Sequence, residues 1–342
     1  MLGKNRDNPV RLQTMQALVT GVGGFLGSYL AELLLDRGCV VYGAVRRGPA
    51  NVACLKDRLS LLPCDVLDAA QVEAAVRESQ PEVVFHLAAQ SLPVLSWKDP
   101  EDTFRTNVFG TLNLLEAVRK ASPAATVVVA GSSAEYGFAS PEEAPRREDR
   151  PLRPASPYGV SKVAAGLLGH LYWHTYGLKV VHVRPFFVIG PRKTSDACSD
   201  FARGIVAVER GERRAVSVGN LEAVRDFLDV RDAVRGLWLL GEKGTPGEVY
   251  NLCSGTGNKV RELLDILVSM AERSIPVEQD LARLRPIDEP VIIGDNTRLR
   301  ALGWSPQIPL DQTLKDILDY WRRSLGDSAG RWSPGTARWR HL

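Results

Sequence analysis

The sequence has no cysteine pattern and no long apolar run, and each absence excludes a class of protein. Its five cysteines, scattered from Cys39 to Cys253, show neither the spacing of a metal site nor an obvious pairing, which favours reduced thiols over a disulfide framework. No apolar run approaches the roughly 20 residues that cross a bilayer, and residues 1–14 are polar, without the apolar core of a secretion signal. We therefore expect a cytoplasmic protein with no membrane partner.

The sequence also lacks a charge imbalance, internal repeats and low-complexity blocks. Lys and Arg number 43 against 40 Asp and Glu, and the formal net charge of +3 is too small an excess to indicate nucleic acid as a partner. Any recognition of phosphate must therefore be local. What the chain does have is length and apolar content, because 342 residues with 44% hydrophobic side chains can bury a full core.

Residues 15–184 alternate short apolar runs with longer periodic ones, which is typical of repeated βα units. Strands are predicted at 16–20, 39–45, 59–63, 82–87, 126–131 and 179–183, and helices at 25–37, 68–79, 100–121 and 157–176. This order predicts an α/β fold with a Rossmann-type, doubly wound parallel sheet that binds a dinucleotide.

After residue 184 the pattern is more mixed, with glycine and proline at the joints between helical stretches near 229–242, 259–272 and 310–323. We expect residues 185–325 to form a smaller C-terminal α/β lobe that binds the substrate and interleaves with the first domain. Residues 1–14 and 326–342 are expected to be flexible tails.

The stretch TGVGGFLGSYL, residues 20–30, places three glycines between the first predicted strand and the first predicted helix. Glycine permits positive φ in a tight turn and lets a pyrophosphate approach the backbone, while the N–H groups at a helix N-terminus attract anions. Gly21, Gly24 and Gly27, with Phe25 and Leu26 between them, are therefore expected to cradle a dinucleotide. An ordinary glycine-rich turn remains the alternative, because the Gly-x-x-Gly-x-x-Gly spacing differs from the Gly-x-Gly-x-x-Gly fingerprint.

The end of the second predicted strand indicates which dinucleotide binds. An NAD-selective site normally has an acid there for the ribose 2′-hydroxyl, but this chain has Arg46 and Arg47, which suit a 2′-phosphate. NADP(H) is therefore the expected cofactor, with NAD(H) accepted less well, unless both arginines are merely solvated. Further cofactor contacts are expected after the third and fourth strands, from Asp65, Val66, Leu87, Ala88 and Ala89.

Tyr158 and Lys162 lie four residues apart on a predicted helix and therefore on one face. The ordinary tyrosine pKa of about 10 is too high for ready proton exchange near neutrality, and a neighbouring ammonium is expected to lower it. Ser132 or Ser133, after the fifth strand, would supply a hydroxyl that orients a substrate oxygen. Together these side chains predict an acid–base site, although Tyr-x-x-x-Lys alone is a common chance match.

These motifs occur in an order that is shared with a known family. The glycine turn, TNVFGT around Asn107, the Ser–Tyr–Lys set and RDFLDVRD resemble the extended short-chain dehydrogenases/reductases that act on nucleotide sugars, over residues 15–325. Within that branch, the greatest similarity is to the reductases of GDP-4-keto-6-deoxy-D-mannose. It is carried by the stretches GSSAEYG, SPYGVSK, VGNLEAVRDFLDVRD, YNLCSG and LRPIDEPVIIGDNTRL.

The resemblance implies a catalytic role for three residues. Ser132 matches the family's catalytic Ser/Thr, Tyr158 its acid/base, and Lys162 the residue that tunes the tyrosine and holds the nicotinamide ribose. The implied reaction is NADPH-dependent reduction of the C4 keto group of GDP-4-keto-6-deoxy-D-mannose to GDP-6-deoxy-D-mannose (GDP-D-rhamnose). The implied partners are a GDP-sugar and a second copy of the chain, since members commonly form homodimers through helices matching 100–121 and 157–176.

The resemblance also implies which residues contact the substrate. Arg225 and Arg285 match positions that grip the nucleotide diphosphate, and Asp288 stands where a ribose-binding Glu is more usual. An ion pair of Arg225 with Asp226 or Asp229 is an alternative role for that arginine. The full expected set is Ser133, Glu135, Phe187, Asn220, Arg225, Arg285 and Asp288.

Phe187 departs from the family pattern, in which an Asn helps to seat the sugar. A hydrogen-bonding group has been exchanged for apolar bulk, so the pose of the sugar is open. A reductase that gives the opposite C4 configuration, the 6-deoxy-talose epimer, is therefore an alternative.

Three further alternatives remain open from the sequence. GDP-mannose 4,6-dehydratases carry a Glu two residues after the catalytic Ser/Thr, and here that position is Ala134, with Glu135 next to it. A nucleotide-sugar 4-epimerase would use the same Ser, Tyr and Lys, but usually has an acid at the end of the second strand. A non-catalytic NADP-binding protein is disfavoured by the retention of all three catalytic side chains.

Overall fold

A computed structural model describes residues 14–48, 50–283 and 289–326 of the chain. Its central feature is a parallel sheet of seven strands, which are β1 (Gln16–Thr20), β2 (Val40–Val45), β3 (Ser60–Pro63), β4 (Val83–His86), β5 (Thr126–Ala130), β6 (Lys179–Pro185) and β10 (Val249–Leu252). Their order across the sheet is β10-β6-β5-β4-β1-β2-β3. Six of them match the six predicted strands, and the seventh comes from the second half of the chain.

Helices cover both faces of this sheet. In chain order they are α1 (Phe25–Asp36), α2 (Ala69–Ser79), α3 (Pro93–Lys98), α4 (Pro100–Phe104), α5 (Gly110–Ala121), α6 (Pro157–Tyr176), α7 (Ala197–Glu209), α8 (Val230–Lys243), α9 (Val260–Ser269), α10 (Thr297–Ala301) and α11 (Leu310–Gly326). Side chains of α1 and α8 form the core on one face, and those of α2, α5 and α6 the core on the other. The predicted doubly wound α/β fold is confirmed. Within the described ranges, none of these helices is long and apolar enough to cross a membrane.

The helix predicted over 100–121 is divided into three parts. α4 is followed by a π-helical turn, Arg105–Phe109, and then by α5. A π-helical turn inserts an extra residue into the helical path and often marks a functional position. Here the inserted turn carries Asn107, whose side chain is buried.

The direction of the strand order changes between β1 and β4. At this point Thr20 pairs with His86, at the carboxyl ends of the two strands. In a doubly wound sheet, ligands bind in the crevice outside such a switch point. The glycine turn after β1 and residues 87–89 after β4 both lie there.

The second half of the chain builds a smaller apolar core, to which α7, α9 and α11 contribute. In its sheets, β9 (Val224–Asp229) pairs with β7 (Phe187–Ile189), β11 (Gly257–Lys259) and β13 (Val291–Ile292), and β8 (Val216–Val218) pairs with β12 (Val277–Gln279). The same half supplies β10 and α8 to the large sheet, so the two halves of the chain are interleaved. The exact domain boundaries stay a prediction, and nearly all of the two expected tails lies outside the described residues.

Asp226, in β9, connects two loops of this smaller unit through its carboxylate, which has no exposed surface. One of its oxygens accepts hydrogen bonds from the amide and the hydroxyl of Ser254, both at 2.7 Å. The other accepts from the amides of Gly255 at 3.0 Å and Gly294 at 3.1 Å. Four donors from two separate loops therefore converge on one buried acceptor group.

Replacing Asp226 with Ala should lower the free energy of unfolding by about 3 kcal/mol, because four hydrogen-bond donors would lose their buried acceptor. Asp226→Asn keeps one acceptor oxygen and should lose roughly half as much. Denaturant titration followed by circular dichroism measures both, with Asp265→Ala, an exposed site on α9, as the control. An Asp226→Ala protein as stable as the control would show that these hydrogen bonds do not hold the unit together.

Candidate active site

The glycine turn leaves the backbone bare at the two places where side chains would collide. Gly21 has a φ of +69°, and a Cβ there would lie 2.8 Å from the amide nitrogen of Ala88. A Cβ on Gly27 would lie 2.3 Å from the carbonyl oxygen of Gly21. Gly24 caps α1 with no side-chain hydrogen bond, and the first turn of the helix has no acidic residue. This turn is therefore shaped to receive an anion at the N-terminus of α1.

Phe25 and Leu26, between these glycines, are half-buried and pack against the core on the α1 face of the sheet. The ring of Phe25 also contacts Tyr29 edge-on, with 5.9 Å between the ring centroids. Because these side chains pack into the core, the backbone of the turn is the part that can contact a ligand.

Thr20 and His86 lock the edge of β4 beside the glycine turn. The Thr20 hydroxyl accepts hydrogen bonds from the amides of Leu87 and Ala88, each at 3.2 Å, and lies 2.8 Å from His86 Nδ1. Burial, together with the charge of Lys162, lowers the pKa of His86 to about 3, so its ring is neutral near pH 7. Neither residue was among the cofactor contacts predicted from the sequence, which at the end of this strand were Leu87, Ala88 and Ala89.

The remaining residues expected at the cofactor lie at the same carboxyl edge of the sheet. Arg46 and Arg47 are exposed directly after β2. Asp65 follows β3, and its side chain accepts a hydrogen bond from the amide of Leu67 at 3.0 Å. Val66 is buried under α5, where a Cβ on Gly110 would lie 2.8 Å from its side chain.

The three predicted catalytic residues come together at the end of β5. Ser156 caps α6, and its hydroxyl accepts a hydrogen bond from the Gly159 amide at 3.1 Å, which places Tyr158 and Lys162 in the first turns of the helix. Ser132 and Tyr158 lie close enough for the serine side chain to act on the tyrosine pKa through hydrogen bonding. The Lys162 ammonium donates to the carbonyl oxygen of Ala130 at 2.8 Å.

Burial dominates the protonation of this group. It raises the pKa of Tyr158 to about 12, against a smaller lowering by the hydrogen bond with Ser132. It lowers the pKa of Lys162 to about 8. The expectation that Lys162 lowers the tyrosine pKa is wrong for this structure, because the ammonium lies 5.9 Å from the ring centroid and is directed to the Ala130 carbonyl.

Asn107 connects the π-helical turn to the catalytic helix. Its amide nitrogen donates to the carbonyl oxygen of Gln90 at 3.0 Å and to the hydroxyl of Ser161 at 2.9 Å, and its oxygen accepts from the Gln90 amide at 2.8 Å. Ser161 is next to Lys162 in the sequence. Asn107 therefore fixes α6 relative to the segment that follows β4.

Phe187 and Arg225, both expected to contact substrate, lie against each other. The guanidinium carbon of Arg225 is 5.6 Å from the Phe187 ring centroid, and Arg225 donates to the carbonyl oxygen of Val224 at 2.8 Å. The carboxylates that were considered as its structural partners are engaged elsewhere: Asp226 by the two loops described above, and Asp229 by Arg231 at 2.7 Å.

The other expected substrate residues are placed separately. Ser133 is half-buried in the turn directly after Ser132, and Asn220 is exposed, with its side-chain oxygen accepting a hydrogen bond from the Glu222 amide at 3.0 Å. Arg285 and Asp288 lie outside the described residues.

Glu135 does not face a substrate, which corrects the expectation from its position in the sequence. Its side chain is 1% exposed. Its carboxylate forms an ion pair with Arg184 at 2.7 Å and lies 2.9 Å from Nε2 of His182. The short 3₁₀ turn Ser133–Glu135 directs the side chain back beneath β5 and away from the surface.

Comparisons with known proteins agree with this geometry. Residues 18–317 match the family described as GDP-mannose 4,6 dehydratase. A GDP-6-deoxy-D-mannose reductase of Pseudomonas aeruginosa is 34% identical over 311 residues, which cover 90% of this chain and 97% of that protein. A UDP-glucose 4-epimerase of Mycolicibacterium smegmatis is 31% identical over 318 residues, 90% of this chain and 99% of that protein.

The fold comparison points the same way. The structure of RMD from Pseudomonas aeruginosa complexed with NADPH has a TM-score of 0.78 at 32% identity, over 91% of this chain and 100% of that one. The sequence motifs, the doubly wound sheet and these relatives lead to one assignment. The chain belongs to the GDP-mannose 4,6-dehydratase family, within the extended short-chain dehydrogenases/reductases.

Proposed function

We propose that the protein is an NADPH-dependent reductase that converts GDP-4-keto-6-deoxy-D-mannose into GDP-6-deoxy-D-mannose. The observation that carries this proposal is Ala134, two residues after Ser132, where related dehydratases carry a Glu. The carboxylate of the next residue, Glu135, is enclosed by its own partners. Elimination of water needs a base and an acid, whereas reduction of a ketone needs a single proton donor. The name of the Pseudomonas relative supports the second reaction.

The glycine turn fits the pyrophosphate of a dinucleotide. A side chain on Gly21 would fill the space over Ala88, and α1 presents its first amides without a side-chain cap. Arg46 and Arg47 are exposed after β2, where guanidinium groups can bind a 2′-phosphate through paired hydrogen bonds. Bound NADPH would supply the hydride that reaches C4 of the sugar. The NADPH complex of the Pseudomonas structure supports this choice of cofactor.

The catalytic residues supply the proton and hold the oxygen that receives it. The hydroxyls of Ser132 and Tyr158 would both contact the C4 carbonyl oxygen. Tyr158 stays protonated near pH 7, because burial raises its pKa to about 12, and it donates its proton to that oxygen as the hydride reaches the carbon. The Lys162 ammonium, held by the Ala130 carbonyl, would contact the nicotinamide ribose of the bound cofactor. The ketone thus gains one hydride and one proton and becomes an alcohol.

Arg225 is proposed to bind the diphosphate of the substrate, with its guanidinium held against the Phe187 ring. Phe187 stands where an Asn usually helps to seat the sugar. The face of the sugar that receives the hydride is therefore determined from the configuration of the product. The C4 configuration, determined by NMR of the nucleotide sugar, distinguishes the 6-deoxy-mannose product from its talose epimer.

The experiment that tests the proposal is NADPH consumption with GDP-4-keto-6-deoxy-D-mannose, made by a separate dehydratase. The dTDP- and UDP-linked keto sugars, GDP-mannose and UDP-glucose serve as comparison substrates. Rapid oxidation with the GDP keto sugar alone is the expected result. Conversion of UDP-glucose without consumption of NADPH would identify an epimerase instead, and loss of water from GDP-mannose would identify a dehydratase.

Tyr158→Phe should reduce kcat by about 10²- to 10⁴-fold, because it removes the proton donor while keeping the ring. The dissociation constant for NADPH, measured by its fluorescence, should stay close to that of the wild type. Tyr176→Phe, an exposed tyrosine at the end of the same helix, is the control. Turnover of Tyr158→Phe at the wild-type rate would exclude the mechanism.

Replacing both Arg46 and Arg47 with Ala should weaken NADPH binding by about 10- to 100-fold, since hydrogen bonds to charged groups contribute about 1.5–3 kcal/mol. NADH binding should hardly change, because NADH has no 2′-phosphate. Arg37→Ala, at the opposite end of α1, controls for the loss of a surface charge. Equal losses for both cofactors would contradict the assignment of the two arginines.

We also propose a homodimer that forms through α6. Val160, Leu167 and Leu171 are 41%, 62% and 51% exposed, and their spacing places them on one side of the helix. Phe109, 55% exposed, adds to the apolar surface from the π-helical turn. A second copy of the same helix is the proposed occupant, because an apolar stripe on one long helix can pack against its own two-fold mate.

The double variant Leu167→Glu, Leu171→Glu should be a monomer in sedimentation equilibrium, because charges would be buried at the interface. Leu281→Glu, which changes another exposed leucine, should leave the dimer intact. A wild-type protein that sediments as a monomer at micromolar concentration would overturn this part of the proposal.

A cytoplasmic location is part of the same proposal. All five cysteines are free thiols in the structure, and four of them are buried, which suits a reducing compartment.

A further inference from the structure

Glu135 is a buried carboxylate that the proposed reaction leaves unused. It lies directly behind the end of β5, since a Cβ on Gly131 would come within 2.0 Å of its Oε1. The same oxygen accepts a hydrogen bond from the Ser132 amide at 2.9 Å. In return, the Ser132 hydroxyl accepts a hydrogen bond from the Ala134 amide at 3.1 Å. This reciprocal capping box fixes both the backbone and the side chain of Ser132.

Two basic side chains of β6 hold the carboxylate in place. His182 Nε2 lies 2.9 and 3.1 Å from its two oxygens, and Arg184 Nε donates to it at 2.7 Å. Arg184 is itself held, because its Nη1 donates at 3.1 Å to both the Tyr136 hydroxyl and the Glu148 carbonyl oxygen. Burial acts to raise the pKa of Glu135, but the interactions with His182 and Arg184 bring it below its usual value. The group is therefore ionised near neutrality.

The charge of Glu135 also reaches the catalytic helix. Lys162 donates a hydrogen bond to the carbonyl oxygen of Ala130. The next residue, Gly131, lies directly over the Glu135 carboxylate. The His182 ring packs against the same helix, where a Cβ on Gly166 would come within 2.9 Å of it. The negative charge raises the pKa of Lys162 against the larger lowering by burial. Without Glu135, the ammonium would lose its proton at lower pH.

We propose that Glu135 is a positioning residue for the proposed reduction: it aims the Ser132 hydroxyl and places a fixed negative charge behind the tyrosine–lysine pair. The inference rests on the proposed function for its catalytic meaning, but its physical basis can be measured without turnover. The titratable and charged groups that face the carboxylate are Tyr136 in its own segment, His182 and Arg184 on β6, and Tyr158 and Lys162 on α6.

Two substitutions separate the two roles. Glu135→Gln removes the charge but keeps an oxygen that can accept the Ser132 amide, whereas Glu135→Ala removes both. In Glu135→Gln, we expect the titration midpoint of Lys162 to fall by about 0.5 to 1 pH unit. In Glu135→Ala, we expect kcat to fall by about 10- to 100-fold with unchanged NADPH affinity, because a small misplacement of a catalytic group has that effect.

The midpoint of Lys162 is measured by NMR titration of the full chain, labelled with ¹³C,¹⁵N-lysine, with the signal assigned from the Lys162→Arg spectrum. The wild-type signal should titrate near pH 8, the pKa that burial and the opposing charge of Glu135 together produce. Glu32→Gln is the matched control, because Glu32 is also buried and ion-paired, with Arg192 at 2.7 Å, but lies on α1. It should leave the midpoint unchanged.

The outcomes distinguish failure of this inference from failure of the proposed function. A wild-type protein that consumes no NADPH with any keto sugar refutes the reductase, yet a lower Lys162 midpoint in Glu135→Gln would still establish the charge effect. An unchanged midpoint overturns that effect, whatever the activity. In an active enzyme, equal kcat values for Glu135→Ala and the wild type overturn the positioning of Ser132.

A second variant covers the case in which Glu135→Gln does not fold. His182→Gln leaves Glu135 its charge but removes the ring that contacts both oxygens. Because the carboxylate is then less compensated, the Lys162 midpoint should equal or exceed that of the wild type. A lower midpoint would contradict the inference. In both variants, the basic limb of the pH profile of kcat/KM should move with the midpoint, which a purely structural role of Glu135 would not produce.

Discussion

The hydrogen bond from the Lys162 ammonium to the Ala130 carbonyl, at 2.8 Å, holds the active site together. It joins the helix that carries Tyr158 to the end of the strand that precedes Ser132. Apolar packing between a helix and a sheet has little directional preference, whereas a hydrogen bond from a charged donor to a carbonyl oxygen has a strict one. The network around Asn107 adds a second joint to the same helix. The catalytic groups can therefore keep their spacing although they come from separate elements.

Burial acts on every ionisable group of this region in the same sense, towards the neutral form. It raises the pKa of Tyr158 and lowers those of Lys162 and His86. At Glu135 this effect of burial is outweighed by His182 and Arg184, whose interactions keep the carboxylate ionised. A fixed charge beneath a dry surface interacts more strongly with its neighbours than an exposed one does. Reactivity in such a site depends on a few nearby charges more than on solvent.

Most of the large sheet could be predicted from the sequence, because each strand and helix from β1 to β6 has its own local apolar period. The glycine turn and the Tyr158–Lys162 pair were also local signals, with spacings that fit one turn or one helix face. What the sequence did not reveal depends on distant partners. Glu135 is adjacent to the catalytic serine pair, but its direction is set by His182 and Arg184, 47 and 49 residues away. The π-helical turn at Asn107 and the lock between Thr20 and His86 likewise depend on contacts between separate elements.

The entry of β10 into the large sheet has a consequence for the order in which the protein forms. β10 pairs with β6 from His182 to Pro185, so the strand that carries the partners of Glu135 has no outer neighbour until residues 249–252 have been synthesised. On the ribosome, the nucleotide-binding half therefore emerges with an open edge, a surface on which nascent chains associate wrongly. This last strand arrives after α7 and β9 of the smaller unit have been made, but before α9 and α11. Completion of the large sheet thus waits for a segment that follows the first elements of the smaller unit, and the two halves of the chain cannot form independently in sequence order.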